Sequence, residues 1–148
     1  MADLPTRIVV DLGFDRALGA LIHAVRDEGL EVIASVDVRE HFRRTVRREF
    51  RQYALLQVWS SDLAFEALKR DLPAATVVPT TLAIYELADG ETAIVAHQPP
   101  LPAAGKAGWG GERGGLGPLA AQQRDRISRV LARLRHVPRR QPAIPHAA

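Results

Sequence analysis

Cysteine is missing from the 148-residue sequence. Its absence excludes disulfide bonds, thiolate metal sites, iron–sulfur clusters and cysteine nucleophiles. The sequence also lacks any run of the roughly 20 apolar residues that a membrane-spanning helix needs. A secretory signal begins with a basic region that is followed by an apolar run, and residues 1–5 do not show this pattern. We therefore expect a soluble, cytoplasmic protein without membrane contact.

The sequence has none of the short motifs that mark common enzyme classes. It contains neither Gly-x-Ser-x-Gly, the turn that exposes a nucleophilic serine, nor Gly-Lys-Ser/Thr, the end of a phosphate-binding loop. The histidines lack the close pairings with carboxylates that zinc and non-haem iron sites need: His23, His41, His97, His136 and His146. We predict no catalytic residue, no metal and no cofactor, although a single histidine as an axial haem ligand stays open.

Charge is distributed unevenly along the chain. Residues 1–100 carry 11 Lys/Arg against 15 Asp/Glu, whereas residues 101–148 carry 9 against 2. A basic arm of this kind favours anionic partners, so weak, non-specific nucleic-acid contact is predicted for four arginines near the C-terminus: Arg124, Arg126, Arg129 and Arg133. A second basic segment, 39–51, contains six arginines but only two interleaved aromatics, Phe42 and Phe50. We interpret it as a solvated or ion-paired helix face.

Hydrophobic periodicity predicts an α+β fold. Alternating or continuous apolar runs indicate strands over 7–12, 30–38, 52–59, 76–87 and 91–97, with Asp89-Gly90 as the hairpin turn between the last two. Spacings of three and four residues indicate helices from Phe14 to Gly29, over 39–51 and over 62–71. These elements predict a two-layer sandwich, with one β-sheet of about five strands covered on one face by helices.

A composition change after residue 100 predicts the domain organisation. Residues 1–100 are expected to form the α+β domain, and 101–118 a Gly/Pro-rich linker. A basic amphipathic helix over 119–136 and a disordered tail over 137–148 are expected to follow. Residues 1–102 are expected to fold without the rest. The apolar stripe of the terminal helix then stays available for a homodimer.

Several short segments resemble the domain of unknown function 302 family over residues 7–98. The matching segments are 14–18 (FDRAL), 29–30 (GL), 37–38 (DV), 53–56 (YALL), 64–68 (AFEAL), 77–79 (VVP) and 84–86 (IYE). The resemblance implies a compact α+β domain, commonly a homodimer, with no established activity across the family.

Two cysteines that are typical of the family are replaced in this chain. Members typically read Ala-Cys-Asn-Pro where this chain has Val58-Trp59-Ser60-Ser61, and Pro-Cys where it has Pro79-Thr80. Any thiol or metal role that rests on those cysteines therefore does not carry over to this protein.

The same six residues form the predicted ligand site: Val58, Trp59, Ser60, Ser61, Pro79 and Thr80. A helix N-terminus and a strand bent at Pro79 leave backbone N–H groups free, and the Trp59 indole can form a wall, which suits a small anionic or aromatic ligand. Alternatively, Trp59 only fills core volume and Ser60 or Ser61 only caps the helix.

We predict a homodimeric, non-enzymatic module that binds a small ligand or another macromolecule. Two alternatives stay open. One is a small-molecule enzyme with an unrecognised site, and the other is a basic-tailed accessory protein for nucleic acids.

Overall fold

One antiparallel sheet organises the protein. The computed structural model describes residues 6–97 and 116–137. The sheet has the strand order β1-β5-β4-β3-β2, with β1 (Thr6–Val10), β2 (Glu31–Asp37), β3 (Tyr53–Trp59), β4 (Thr80–Ala88) and β5 (Glu91–Ala96). The described helices are α1 (Phe14–Asp27), α2 (Val38–Thr45), α3 (Ser61–Arg70) and α4 (Leu116–Arg135), with a 3₁₀ helix over Leu72–Thr76. The predicted α+β sandwich with a five-stranded sheet is confirmed.

Two glycines end elements where the sequence predicted. Gly90 has φ +79° in the turn between β4 and β5, a backbone conformation that suits glycine. Gly29, with φ +71°, follows α1 and lets Leu30 donate its backbone N–H to the Val25 carbonyl at 3.0 Å. That bond closes the helix and directs the chain into β2.

The main core lies between the inner face of the sheet and two helices. Alternate residues of the central strands point inward, as in β3, where Ala54, Leu56 and Val58 are buried. Helix α1 covers them with buried side chains such as Leu21 and Val25. Four residues of α4 belong to the same cluster: Ile127, Val130, Leu131 and Leu134. The terminal helix therefore packs into the core formed by residues 6–97, and its apolar stripe is covered within the chain.

A second, smaller cluster joins α3 to the start of α4. Leu63, Ala64 and Ala67 of α3 pack with Leu116 and other residues from the first turns of α4. Helix α4 therefore begins at Leu116 rather than at residue 119, because its first turn has its own apolar partners. The remainder of the predicted linker, 101–115, and residues 138–148 of the predicted tail lie outside the described residues.

Two other boundaries differ from the sequence prediction by more than two residues. Helix α2 ends at Thr45 rather than at residue 51, because Arg47 adopts a left-handed backbone with φ +55°. Strand β4 begins at Thr80 rather than at Thr76, because Pro73 opens a 3₁₀ turn that occupies the preceding residues. Each difference arises from local backbone geometry that hydrophobic periodicity does not report.

Ile127→Ala should destabilise the protein by roughly 2–5 kcal/mol, because it leaves a cavity in the main core. Ile127 is 1% exposed. The matched control is Phe65→Ala on α3, where the side chain is 66% exposed and its removal should be nearly neutral. Urea unfolding of both variants measures the difference, and equal losses would contradict the assignment of α4 to the core.

A chain that ends after residue 102 should lose cooperative unfolding, contrary to the expectation from the sequence. The truncation removes the α4 residues of the main core and uncovers the inner face of the sheet. Calorimetry and near-ultraviolet circular dichroism can measure this loss. A sharp melting transition in the truncated chain would show that α4 is dispensable for folding.

Candidate functional site

The structure brings the predicted ligand-site residues together at the junction of β3, β4 and α3. Val58 lies in the core and pairs across the sheet with Thr80, while Ser60 is fully buried immediately after β3. Trp59 is half-buried against the second cluster. Ser61 is exposed and donates its hydroxyl to Glu31 at 2.6 Å. The residues predicted to lie together are therefore close to one another in the structure.

The polar groups of this junction are bonded to α4. The Gln123 side chain, 2% exposed, accepts the Ser60 backbone N–H at 3.2 Å. Its amide nitrogen donates to the Val78 carbonyl and, at 3.2 Å, to the Thr80 hydroxyl. One backbone N–H and one backbone carbonyl of the predicted ligand site are thus satisfied by a side chain from the terminal helix.

Arg126 completes the junction beside Gln123. Its guanidinium donates to the Ser60 hydroxyl at 2.7 Å and pairs with Asp62 at 3.4 Å. Ser60 donates in turn to Asp62. Hydrogen bonding from Ser60, with a smaller contribution from Arg126, lowers the pKa of the Asp62 carboxyl. Ser60 holds the N-cap position of α3, but its hydroxyl bonds these side chains instead of a backbone N–H of the first turn.

The other arginines predicted to contact nucleic acid also have partners within the chain. Arg129 and Arg133 both donate through Nε to Glu28 at the end of α1, at 2.8 and 2.7 Å. Arg133 also pairs with Asp27 at 3.3 Å, and Arg124 has an interaction of its own. This network fixes α4 on α1 and neutralises much of the charge that the sequence assigned to a nucleic-acid partner.

The opposite, outer face of the sheet carries an apolar row. Register partners across β5, β4, β3 and β2 place four apolar side chains side by side: Val95, Ala83, Leu55 and Val36. The row belongs to neither hydrophobic cluster, and Val36 is 46% exposed. Val9 on β1, which is 45% exposed, extends the same face. We call Val95, Ala83, Leu55 and Val36 the apolar row.

An aromatic ladder borders the apolar row. Phe42 of α2 meets Phe50 edge to face with ring centroids 5.3 Å apart, and Phe50 lies 6.1 Å from Tyr53. Tyr53 stacks on its cross-strand partner Tyr85 at 5.1 Å, with 10° between the ring planes. Of these four rings, only Phe42 and Phe50 were singled out as aromatics from the sequence. Tyr53 and Tyr85 both point to the outer face of the sheet. Their contact could be predicted only once the register between β3 and β4 was known.

These features define an α+β protein in which α1 and α4 cover one sheet face, while the described residues leave the other face partly exposed. Within residues 6–97 and 116–137, no group of three or more His, Asp and Glu residues is placed to hold a metal ion. No helix of that part of the chain is long and apolar enough to cross a membrane.

The chain belongs to the domain of unknown function 302 family, DUF302, which matches residues 3–134. The match includes most of α4 and confirms the resemblance seen in the sequence. The fold is similar to the crystal structure of an uncharacterized conserved DUF302 protein from Bacillus stearothermophilus. That comparison gives a TM-score of 0.71 at 21% identity and covers 90% of this chain and 99% of the other. No curated protein matches the chain significantly.

Glu28→Gln should lower stability near neutral pH and lose its effect in acid. Hydrogen bonds from Arg129, then Arg133, hold the pKa of Glu28 below its ordinary value of 4.5. A carboxyl with a lowered pKa in the folded state stabilises the protein above that ordinary value. Its contribution disappears as the pH falls through the lower, folded value.

Thermal unfolding of the variant and the unmodified protein, measured from pH 7 down to below the folded-state pKa of Glu28, gives the difference in melting temperature at each pH. The control is Glu66→Gln, because Glu66 forms an exposed pair with Arg70 at 4.0 Å and should contribute little. A Glu28→Gln deficit that persists unchanged in acid would show that the carboxylate charge is not what holds α4.

Proposed function

We propose that the protein is a non-enzymatic interaction module that acts as a homodimer through the outer face of its sheet. The apolar row is the observation that carries this proposal. Antiparallel sheets with one solvated face usually alternate apolar inward and polar outward residues. Here one row of outward positions across four strands is also apolar, which favours a face that meets a partner.

A second copy of the chain fits this face. Two sheets can pack about 10 Å apart through interdigitating side chains, and a two-fold axis lets one patch meet its own copy. The row spans β5 to β2, so it would form the centre of such an interface, and neighbouring outward residues would supply the rest of the roughly 800 Å² per partner that a stable dimer buries. The family resemblance also favours a homodimer.

The proposed interface replaces the one suggested by the sequence alone. The apolar stripe of α4 was the expected dimer surface, but Ile127, Val130 and Leu134 already lie in the core of the same chain. The open sheet face is the apolar surface that does not need α4 to move. The side chains of the apolar row are small or medium-sized and uncharged, so two copies can approach closely.

Val36→Glu should convert the dimer to a monomer. A charge buried between two apolar sheets without a partner opposes association, whereas Val36 is exposed enough for the single chain to fold. Light scattering should give about twice the 16.2 kDa chain mass for the unmodified protein and the chain mass for the variant.

The control for this experiment is Phe65→Glu, which places the same charge at a residue that is 66% exposed on α3. It should remain a dimer. A monomeric unmodified protein at tens of micromolar, or a dimeric Val36→Glu variant, would contradict the proposed interface.

A further inference from the structure

We propose that the aromatic ladder and the arginines beside it form a binding site for single-stranded nucleic acid. The site comprises Phe42, Phe50, Tyr53 and Tyr85 together with Arg39, Arg47 and Arg48. Tyr53 and Tyr85 flank the apolar row on the same sheet face, so a single strand and a second copy of the chain would compete for this part of the surface. The inference does not depend on the proposed dimer.

The segment between β2 and β3 carries more arginines than its own carboxylates can neutralise. Six arginines lie between residues 39 and 51, against Glu40 and Glu49. Arg43 pairs with both glutamates at 3.3 Å, and Arg44 lies 3.9 Å from Glu40. Within the described part of the chain, Arg47 and Arg48 are exposed and make no ion pair. They are therefore available to phosphate groups.

Arg39 adds a group whose hydrogen-bonding capacity is unmet. Its side chain is half-buried, and its Nε atom is buried with no hydrogen-bond partner among the described residues. Buried polar groups are normally bonded, so the described residues leave part of the bonding capacity of this guanidinium unused. A phosphate oxygen is an acceptor suited to a guanidinium.

The backbone conformation of Arg47 also supports a binding site on this segment. Arg47 is the one non-glycine residue with positive φ in the described ranges. Glycine or asparagine would occupy this conformation at lower cost, so an arginine there sacrifices stability. Strain of this kind concentrates at functional sites. The strained turn carries Arg47 and Arg48 into solvent next to the exposed Phe50 ring.

The aromatic ladder supplies the second component of such a site. Single-stranded nucleic acids bind where unpaired bases stack on aromatic rings while cationic side chains follow the phosphates. The four rings contact one another in series, from α2 across Phe50 to the pair on β3 and β4. Stacking tolerates any base, so the expected binding is indifferent to sequence.

Single strands fit this surface better than the two other anionic surfaces. Duplex nucleic acid keeps its bases stacked on one another and cannot offer them to the rings. A lipid surface needs apolar side chains that insert below the headgroups. Of the four rings only Phe50 is exposed, at 43%, which offers one ring for a base to stack on but little apolar surface to insert into a bilayer.

The test uses the full chain and fluorescence anisotropy of a labelled oligothymidylate of about 16 nucleotides. Arg47→Gly is the decisive variant, because it removes one charge and relieves the strained backbone. It should melt at the same or a higher temperature yet bind more weakly, with the salt slope reduced by about 0.7. Phe50→Ala should weaken binding on the order of tenfold by removing one stacking ring. Phe50→Leu, which keeps the apolar volume, should also weaken it.

Arg16→Ala is the matched control, since it removes one exposed arginine from α1 and leaves the ladder intact. It should bind as the unmodified protein does. Four results would overturn the inference: no binding in low salt at micromolar protein, equal affinity for duplex, equal loss in Arg16→Ala and Arg47→Gly, or tighter binding to phosphatidylserine-containing vesicles than to the oligonucleotide.

Discussion

The fold depends on how α4 packs across the inner face of the sheet. Ile127 and Val130 are buried among residues that come from β1, α1 and the central strands. Removing that helix exposes apolar surface on several elements at once. Gln123 and the pairing of Glu28 with two arginines then fix its position and rotation. Apolar burial supplies the driving force, and the polar contacts supply the specificity of the arrangement.

This packing makes the two sheet faces chemically unequal. The inner face is covered by α1 and α4, and at its polar junction the Ser60 backbone N–H and hydroxyl are already bonded to Gln123 and Arg126. The outer face keeps the apolar row and the aromatic ladder, with excess arginine at one end. Surfaces that do not stabilise the monomer are the ones on which partners can act. Both proposals therefore concern the outer face.

Sequence reasoning succeeded where the determining interactions are local. The strands, the Asp89-Gly90 turn and the end of α1 at Gly29 each follow from a few neighbouring residues. It could not place Gln123 against Ser60 and Val78, which lie 63 and 45 positions away. The stack of Tyr53 on Tyr85 likewise depends on strand register. Long-range pairing of this kind is set by the packed core, which no short window of sequence contains.

The two positions at which this chain lacks the cysteines typical of the family have structural roles at the junction. Trp59 and Thr80 stand where members typically carry cysteine. Trp59 packs on the cluster that contains Leu116 of α4, and the Thr80 hydroxyl accepts a hydrogen bond from Gln123. Thr80 therefore contacts the terminal helix directly, and Trp59 packs on a cluster to which that helix contributes. A thiol could not reproduce either contact, since it is smaller than an indole and a weaker acceptor than a hydroxyl. In this chain, these positions hold α4 in place.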